Sequence, residues 1–243
     1  MNLQVNDSLS KWNKTEAFEL QVARGQIRGH SVVNIFGFNH TVGTSFITPW
    51  ELNSTYPFLS TAQQLTLVST SASDTNKIVI IQGLDSIYNP ITESITVNGT
   101  SSVTTTNSFL RINSMSAGDG TIVGNITASY SGTVYAQITD GVGRTQMAQY
   151  TVPAGYTFYL YRINGWSATA TGNQYITFRN RVTTLTATFD VAHSTFTSSQ
   201  FEVQRRFPFA YAEKTNVQLQ CKSSSSTNDV SLAGEGVLIK NSQ

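Results

Sequence analysis

The sequence predicts an all-β protein built from antiparallel sandwiches, with a jelly-roll-like C-terminal part and an extended N-terminal arm. Three observations lead there. Charged residues make up only 12% of the 243, while Ser and Thr supply roughly a quarter, a composition that suits pleated, half-buried surfaces and suits helices poorly. Apolar, β-branched runs of four to eight residues recur along the chain, separated by Gly, Pro and Asn breakers. No segment of helical length carries a 3.6-residue apolar period apart from a possible turn near Ala192–Thr197.

Taken in order, residues 1–14 read as a loose terminal arm with Trp12 as its anchor. Phe18-Glu19-Leu20-Gln21-Val22 alternates with period two and predicts a strand. Gly25 and Gly29 follow it, then a second run at Ser31–Phe38 and a fragment at Phe46-Ile47. Residues 48–64 hold two prolines and no sustained period. They predict an extended connection with Trp50, Tyr56 and Phe58 pinned on a sheet surface. Leu65–Ser69 opens the next unit, and Ser71–Asn76 is a polar loop.

Lys77–Ser114 is the clearest stretch. Its runs Ile78–Ile81, Ile91–Val97 and Phe109–Ile112 are separated by Gly83–Asp85, Asn89-Pro90 and Asn98-Gly99, which predicts a β-meander. Asn98-Gly99 is its sharpest turn signal, because both residues tolerate positive φ. The following SMSAGDG lacks the Lys of a P-loop and the spaced carboxylates of an EF-hand, so it reads as a turn. Thr121–Thr127 is a short strand.

From Gly132 onward the runs are Thr133–Ile138, Gln146–Val152, Tyr156–Ile163, Gln174–Arg181, Val182–Asp190, Glu202–Phe207, Thr215–Lys222 and Val230–Ile239. Eight short strands with regular punctuation predict an antiparallel sandwich of jelly-roll type. The expected organisation is therefore 1–47 as arm and strands, 48–131 as a meander domain, and 132–243 as a sandwich.

Chemistry is sparse. The net charge of +1 gives no electrostatic argument for nucleic acid or a membrane surface as partner. No apolar run approaches ~18 residues, and no basic region followed by a long apolar run opens the chain. Assembly in the cytoplasm is therefore expected. Cys221 has no cysteine to pair with in the chain and reads as a small buried hydrophobe. His30, His40 and His193 lie far apart without a second ligand at metal spacing. G-x-S-x-G is absent, and nothing in the sequence pairs Asp85 with Glu93 or Asp140 with Glu202 as acid and base. No enzyme activity, cofactor or metal is expected. Tyr156, Phe158, Tyr159, Tyr161 and Trp166 place aromatics on both faces of one strand, so one face is core and the other a candidate interface. Arg205-Arg206-Phe207-Pro208-Phe209 is a basic doublet in an aromatic frame, suited to pairing with a neighbouring chain or to stacking on a flat ligand. A polar surface with so little charge points to an oligomer covered by its neighbours.

FELQVARGQIRGHSVVNIFGFNHTVG (Phe18–Gly43) with the Trp50-Glu51 that follows, and IQGLDSIYNPITESITVNGTSSVTTTNSFLRINSM (Ile81–Met115), resemble virion structural proteins of tailed bacteriophages, especially marine and cyanobacterial ones. YTVPAGYTFYLYRI (Tyr150–Ile163) and RFPFAYAEKTNVQLQCKSSSSTNDVSLAGEGVLI (Arg206–Ile239) resemble the same group. The resemblance implies a particle protein, either on the head as decoration or cement or on the neck or tail. Its partners would be copies of itself and other virion proteins, the major capsid protein or neck and tail proteins. The docking arm would be Trp12 and the segment with Phe18, Leu20, Val22, Phe36 and Phe38, while Trp50, Tyr159, Tyr161, Trp166, Arg205 and Arg206 complete the candidate interface. A tail or fibre module that binds host-surface glycans is the alternative.

Overall fold

Alternation of apolar and polar side chains shapes the longest strands. In β1 (His30–Val42), Val33, Ile35 and Val42 turn inward while Val32, Asn34 and Phe36 turn outward, the period-two pattern of a sheet with one buried face. The structure is a computed structural model that describes residues 16–52, 55–118, 121–168, 175–197, 199–225 and 227–241. Trp12, the expected anchor of the arm, lies outside the described residues.

β1 pairs antiparallel with β15 (Asn228–Lys240) from His30 opposite Ile239 to Val42 opposite Asn228. On its other edge β15 pairs with β10 (Tyr156–Ser167), which pairs with β13 (Gln200–Tyr211). The facing sheet has the order β12 (Thr188–Phe196), β11 (Ile176–Thr183), β14 (Asn216–Ser223), β9 (Gln149–Thr151). Within these eight strands, β1 pairs with β15, β9 with β14, β10 with β13 and β11 with β12. The first four thus meet the last four in reverse order, which is one long antiparallel ribbon wrapped into two sheets. That is a jelly roll. Phe158, Leu160, Phe178, Val217, Leu219 and Leu232 fill the space between the sheets. Cys221 is part of this core, and burial pushes its thiol far above the ordinary range.

Between β1 and β9 the chain leaves the jelly roll and builds a second, smaller sandwich. Its strands are β2 (Thr66–Ser69), β3 (Thr75–Leu84), β4 (Pro90–Asn98), β5 (Val103–Thr104), β6 (Arg111–Ala117), β7 (Ile126–Tyr130) and β8 (Thr133–Ile138). The sheet β5-β2-β7-β8 and the three-stranded sheet β4-β3-β6 enclose a separate core of Leu67, Val79, Ile81, Val97, Phe109, Met115 and Ile126, with Trp50 and Tyr56. The meander expected over Lys77–Ser114 is not formed: after β4 the chain passes through β5 in the other sheet, and β6 returns to pair with β3 rather than β4. Arg111 ties the two cores together. Its Nε donates to Asn216 Oδ1 at 3.0 Å and its Nη1 to the Leu59 carbonyl at 2.8 Å, and its guanidinium stacks 4.9 Å from the Phe58 ring.

This pairing divides the chain differently from the sequence-based expectation. β1 is an integral jelly-roll strand rather than part of an arm, and the boundary expected at 131/132 falls inside the β7–β8 hairpin. Ser131 and Gly132 both take positive φ, 49° and 79°, the signature of a tight two-residue hairpin turn. Phe18–Ala23 is a helix, α1, instead of a strand. Five residues of alternation are too few to separate the two periods, and Glu, Leu, Gln and Ala are good helix formers. Gly25, at φ 69°, follows the helix and supplies a conformation most residues avoid. Residues 192–196 lie in β12, and the run expected over Val182–Asp190 is broken by a turn in which Thr184 Oγ1 accepts the Ala187 nitrogen at 3.0 Å.

The Asn98-Gly99 turn ends β4 and carries the chain toward the other sheet. Of the pair only Gly99 takes positive φ, 57°, and a Cβ there would stand 2.9 Å from the Ala72 carbonyl oxygen. Gly99→Val is expected to destabilise by about 1–3 kcal/mol from backbone strain alone, with the Ala72 contact adding to it. Gly99→Asn should recover only the backbone part, since Asn tolerates this region. Thermal denaturation of the three proteins tests it, and equal midpoints would refute the assignment.

Candidate interaction surface

Because inward and outward residues alternate, the core-lining of β1, β15, β10 and β13 dictates their outer face. Register places Phe36, Ala233, Asn164 and Glu202 in one cross-strand row, and Phe38, Ser231, Trp166 and Gln200 in the next. Asn34, Glu235, Arg162 and Gln204 form the row on the other side of Phe36. Trp166 is 41% exposed, Val32 41% and Phe36 37%. α1 flanks this face beside β1 and adds Phe18 and Leu20, both exposed; the Phe18 ring meets the His30 ring edge-on at 6.0 Å.

At the centre one cation stands between two carboxylates. Arg162 makes a bidentate pair with Glu202, both contacts 2.9 Å, and reaches Glu235 at 3.6 Å. A cavity of about 320 Å³ opens over this group, lined by Glu19 of α1, Tyr161 and Arg205 among others. Tyr161 stands where the ladder slips: Leu160 faces Phe209 and Arg162 faces Gln204. Residues 205–208 therefore bulge out of β13. There the Arg205 guanidinium lies 4.0 Å over the Phe209 ring, and Phe207 is 77% exposed.

Of the residues expected at an interface, Phe18, Leu20, Phe36, Phe38, Tyr159, Tyr161, Trp166 and Arg205 thus gather on or around one sheet face, with Arg206 on the bulge. Two do not. Val22 is buried on the inner side of α1, and Trp50 is 1% exposed in the core of the inserted sandwich, edge-on to Tyr56 at 5.1 Å. The remaining candidates for chemistry have local duties. Asp85 Oδ1 accepts the Ile87 and Asn89 nitrogens and so closes the β3–β4 turn. Glu93 accepts the Thr106 and Asn107 nitrogens. Among the described residues no three His, Cys, Asp or Glu side chains cluster as a metal site, and no helix is long and apolar enough to cross a membrane.

No family model matches the chain, and no curated protein is significantly similar to it. Among solved structures, the crystal structure of the infectious bursal disease virus VP2 subviral particle is similar over 87% of this chain and 75% of that one, at 9% identity and a TM-score of 0.23. A TM-score that low carries no argument. The strand order described above stands by itself: it defines a jelly roll with a β-sandwich inserted after its first strand.

Proposed function

We propose that this protein is a non-enzymatic structural component of a virus particle, and more specifically a head decoration or cement protein of a tailed bacteriophage. The observation that carries the proposal is the outer face of the β1-β15-β10-β13 sheet, where Phe36, Val32 and Trp166 surround an internally paired Arg162–Glu202–Glu235 group. Covering such a face buries an ion-paired group with one net negative charge, which a cation of the partner would match. The low charge of the whole chain and the resemblance of its Phe18–Gly43 and Ile81–Met115 segments to phage virion proteins support the same reading. Jelly rolls also serve as lectins, so the fold alone does not decide.

Binding would come from apolar and aromatic burial repeated in many copies. Truncating one central aromatic of an interface costs about 2 kcal/mol or more, roughly 30-fold in affinity. Trp166→Ala with Phe36→Ala should therefore leave thermal unfolding of the free protein nearly unchanged and strip it from particles. Particle occupancy of the double variant measures this, and full occupancy would overturn the interface.

A second reading, host-glycan binding by a tail module, has its own observation in the Arg205–Phe209 stack and the protruding Phe207. A glycan array with Arg206→Ala as the control discriminates. Sugar binding lost in that variant would favour the tail module.

A further inference from the structure

The jelly roll has a second outer face, on the side of β12-β11-β14-β9, and the alternation that fills its core decides what that face shows. Phe178, Val182, Leu219 and Cys221 point inward, so Arg179, Arg181 and Lys222, next to them in the chain, point outward. Phe46 joins them from the segment after β1. Ile47 exchanges two backbone hydrogen bonds with Cys221, both 2.9 Å, and packs on the core, which turns Phe46 outward. The Arg179 guanidinium lies 4.0 Å over the Phe46 ring and the Lys222 ammonium 4.9 Å over it.

The charges here run opposite to those of the β1-β15-β10-β13 face. Asp190 is shared between Arg179 at 3.4 Å and Arg181 at 3.2 Å. Among the described residues no carboxylate stands within ion-pair distance of Lys222. Three cations thus meet one carboxylate on this face. On the opposite face Glu202 holds Arg162 in a bidentate pair, and Glu235, 3.6 Å from Arg162, is the surplus carboxylate. Neither surplus is matched on its own face.

We propose that the occupant of the β1-β15-β10-β13 face is a second copy of this chain, docked through its β12-β11-β14-β9 face, with Lys222 of one copy set against Glu235 of the other. The proposal rests on the reading of the first face as an interface and commits that face to one partner. Charge selects this pairing over the two symmetric ones, because joining like faces would bring two acidic or two basic surpluses into contact, which is unfavourable. Both sides also offer aromatic surface, Phe46 on one, Phe36 and Trp166 on the other. The two faces lie on opposite sides of the sandwich, so the contact is heterologous. Each copy that docks presents a fresh acceptor face, and copies add head to tail until a rotation closes a ring. Such repetition suits a chain with so little charge.

Sedimentation velocity of the full chain over a range of protein concentrations, at about 0.05 M and about 0.5 M salt, tests this. The expected result is a mean mass that rises with concentration at low salt and falls back at high salt. Lys222→Glu and Glu235→Lys should each raise the dissociation constant about tenfold or more. The chain carrying both should recover part of the association, since the two charges are then exchanged across the contact. Unchanged thermal unfolding of the variants separates lost docking from lost folding, and Lys222→Gln or Glu235→Gln replaces any reversal that does not fold. A monomer at every concentration, association indifferent to both reversals, or no recovery in the double variant would overturn the proposal. So would binding of a single-stranded oligonucleotide that Lys222→Glu abolishes. The outcome is separable from particle docking. If the wild type stays monomeric while Trp166→Ala with Phe36→Ala is still lost from particles, the second copy falls as occupant and the particle interface stands. If the wild type associates while that variant keeps full occupancy, the reverse holds.

Discussion

Asp74→Ala is expected to cost about 1–3 kcal/mol, the range for leaving a buried hydrogen-bonding group unmatched. Asp74 follows β2 and is fully buried. Its Oδ2 accepts Ser69 Oγ at 2.6 Å and the Gly124 nitrogen at 2.9 Å, and its Oδ1 accepts the Val123 nitrogen at 2.8 Å. Its carbonyl takes the Gly99 nitrogen at 3.1 Å. One residue thus joins the end of β2, the turn after β4 and the approach to β7, and its loss leaves the buried Gly124 nitrogen without its acceptor. Burial alone would push the carboxyl up, but the hydrogen bonds from Ser69, Val123 and Gly124 and the charge of Lys77 outweigh it and hold it below the usual range. A depressed folded pKa means that the contribution is complete above the unfolded carboxyl value, about 3.9, and is lost as pH falls through the folded one. Urea denaturation at neutral pH and below about pH 3 checks both parts. The wild type should lose stability in acid, and the Ala variant should lack that loss. A neutral-pH cost under about 1 kcal/mol would place Asp74 among ordinary loop residues.

Nothing in the sequence separates Asp74 from the other polar residues of Ser71–Asn76, and the reason is general. Period-two alternation is a local property, so most strands and the all-β class are legible from single runs of residues, while the order of the runs in Lys77–Ser114 is not: β6 pairs with β3 and no meander forms. Pairing between distant segments leaves no local trace. β1 looks like an arm because its partner, β15, is at the other end of the chain, and for the same reason the inserted sandwich looks like a domain of its own that follows the arm. Gly37 shows how faint such marks are: a Cβ there would collide with the Ala148 nitrogen and the Pro49 oxygen, so the close packing where the inserted sandwich joins the jelly roll is written in one missing side chain. The outer sheet face was partly readable, since Phe36 and Trp166 alternate with core residues. Trp50 reads as a surface pin yet lies in a core, because a large aromatic in an aperiodic, proline-containing segment can pin either. Glu51, its neighbour, had no signal at all.

Glu51→Gln is expected to stabilise the protein in alkaline solution, a direction opposite to most substitutions in a buried site. Burial pushes the Glu51 carboxyl from 4.5 up to about 7, and the hydrogen bond from the Gln146 nitrogen offsets only part of that. Its titratable neighbours do not supply a counter-charge. Tyr56 is held neutral far above its ordinary range, first by burial and then by Glu51 itself, while His40, lining the same cavity, faces Asp229. With its folded pKa raised, the carboxyl favours the folded state less and less as pH climbs from about 4.5, and the loss is complete above about pH 7. Gln keeps an oxygen for the Gln146 nitrogen and never ionises. The two proteins should therefore be nearly equal in stability at about pH 4, diverge between there and neutrality, and differ by up to about 3 kcal/mol above it. Denaturant titrations across this range give the difference directly. A constant offset at every pH would mean that Glu51 does not ionise in the folded protein, and parallel curves with the Gln variant lower would mean that the carboxylate has a further partner in solution.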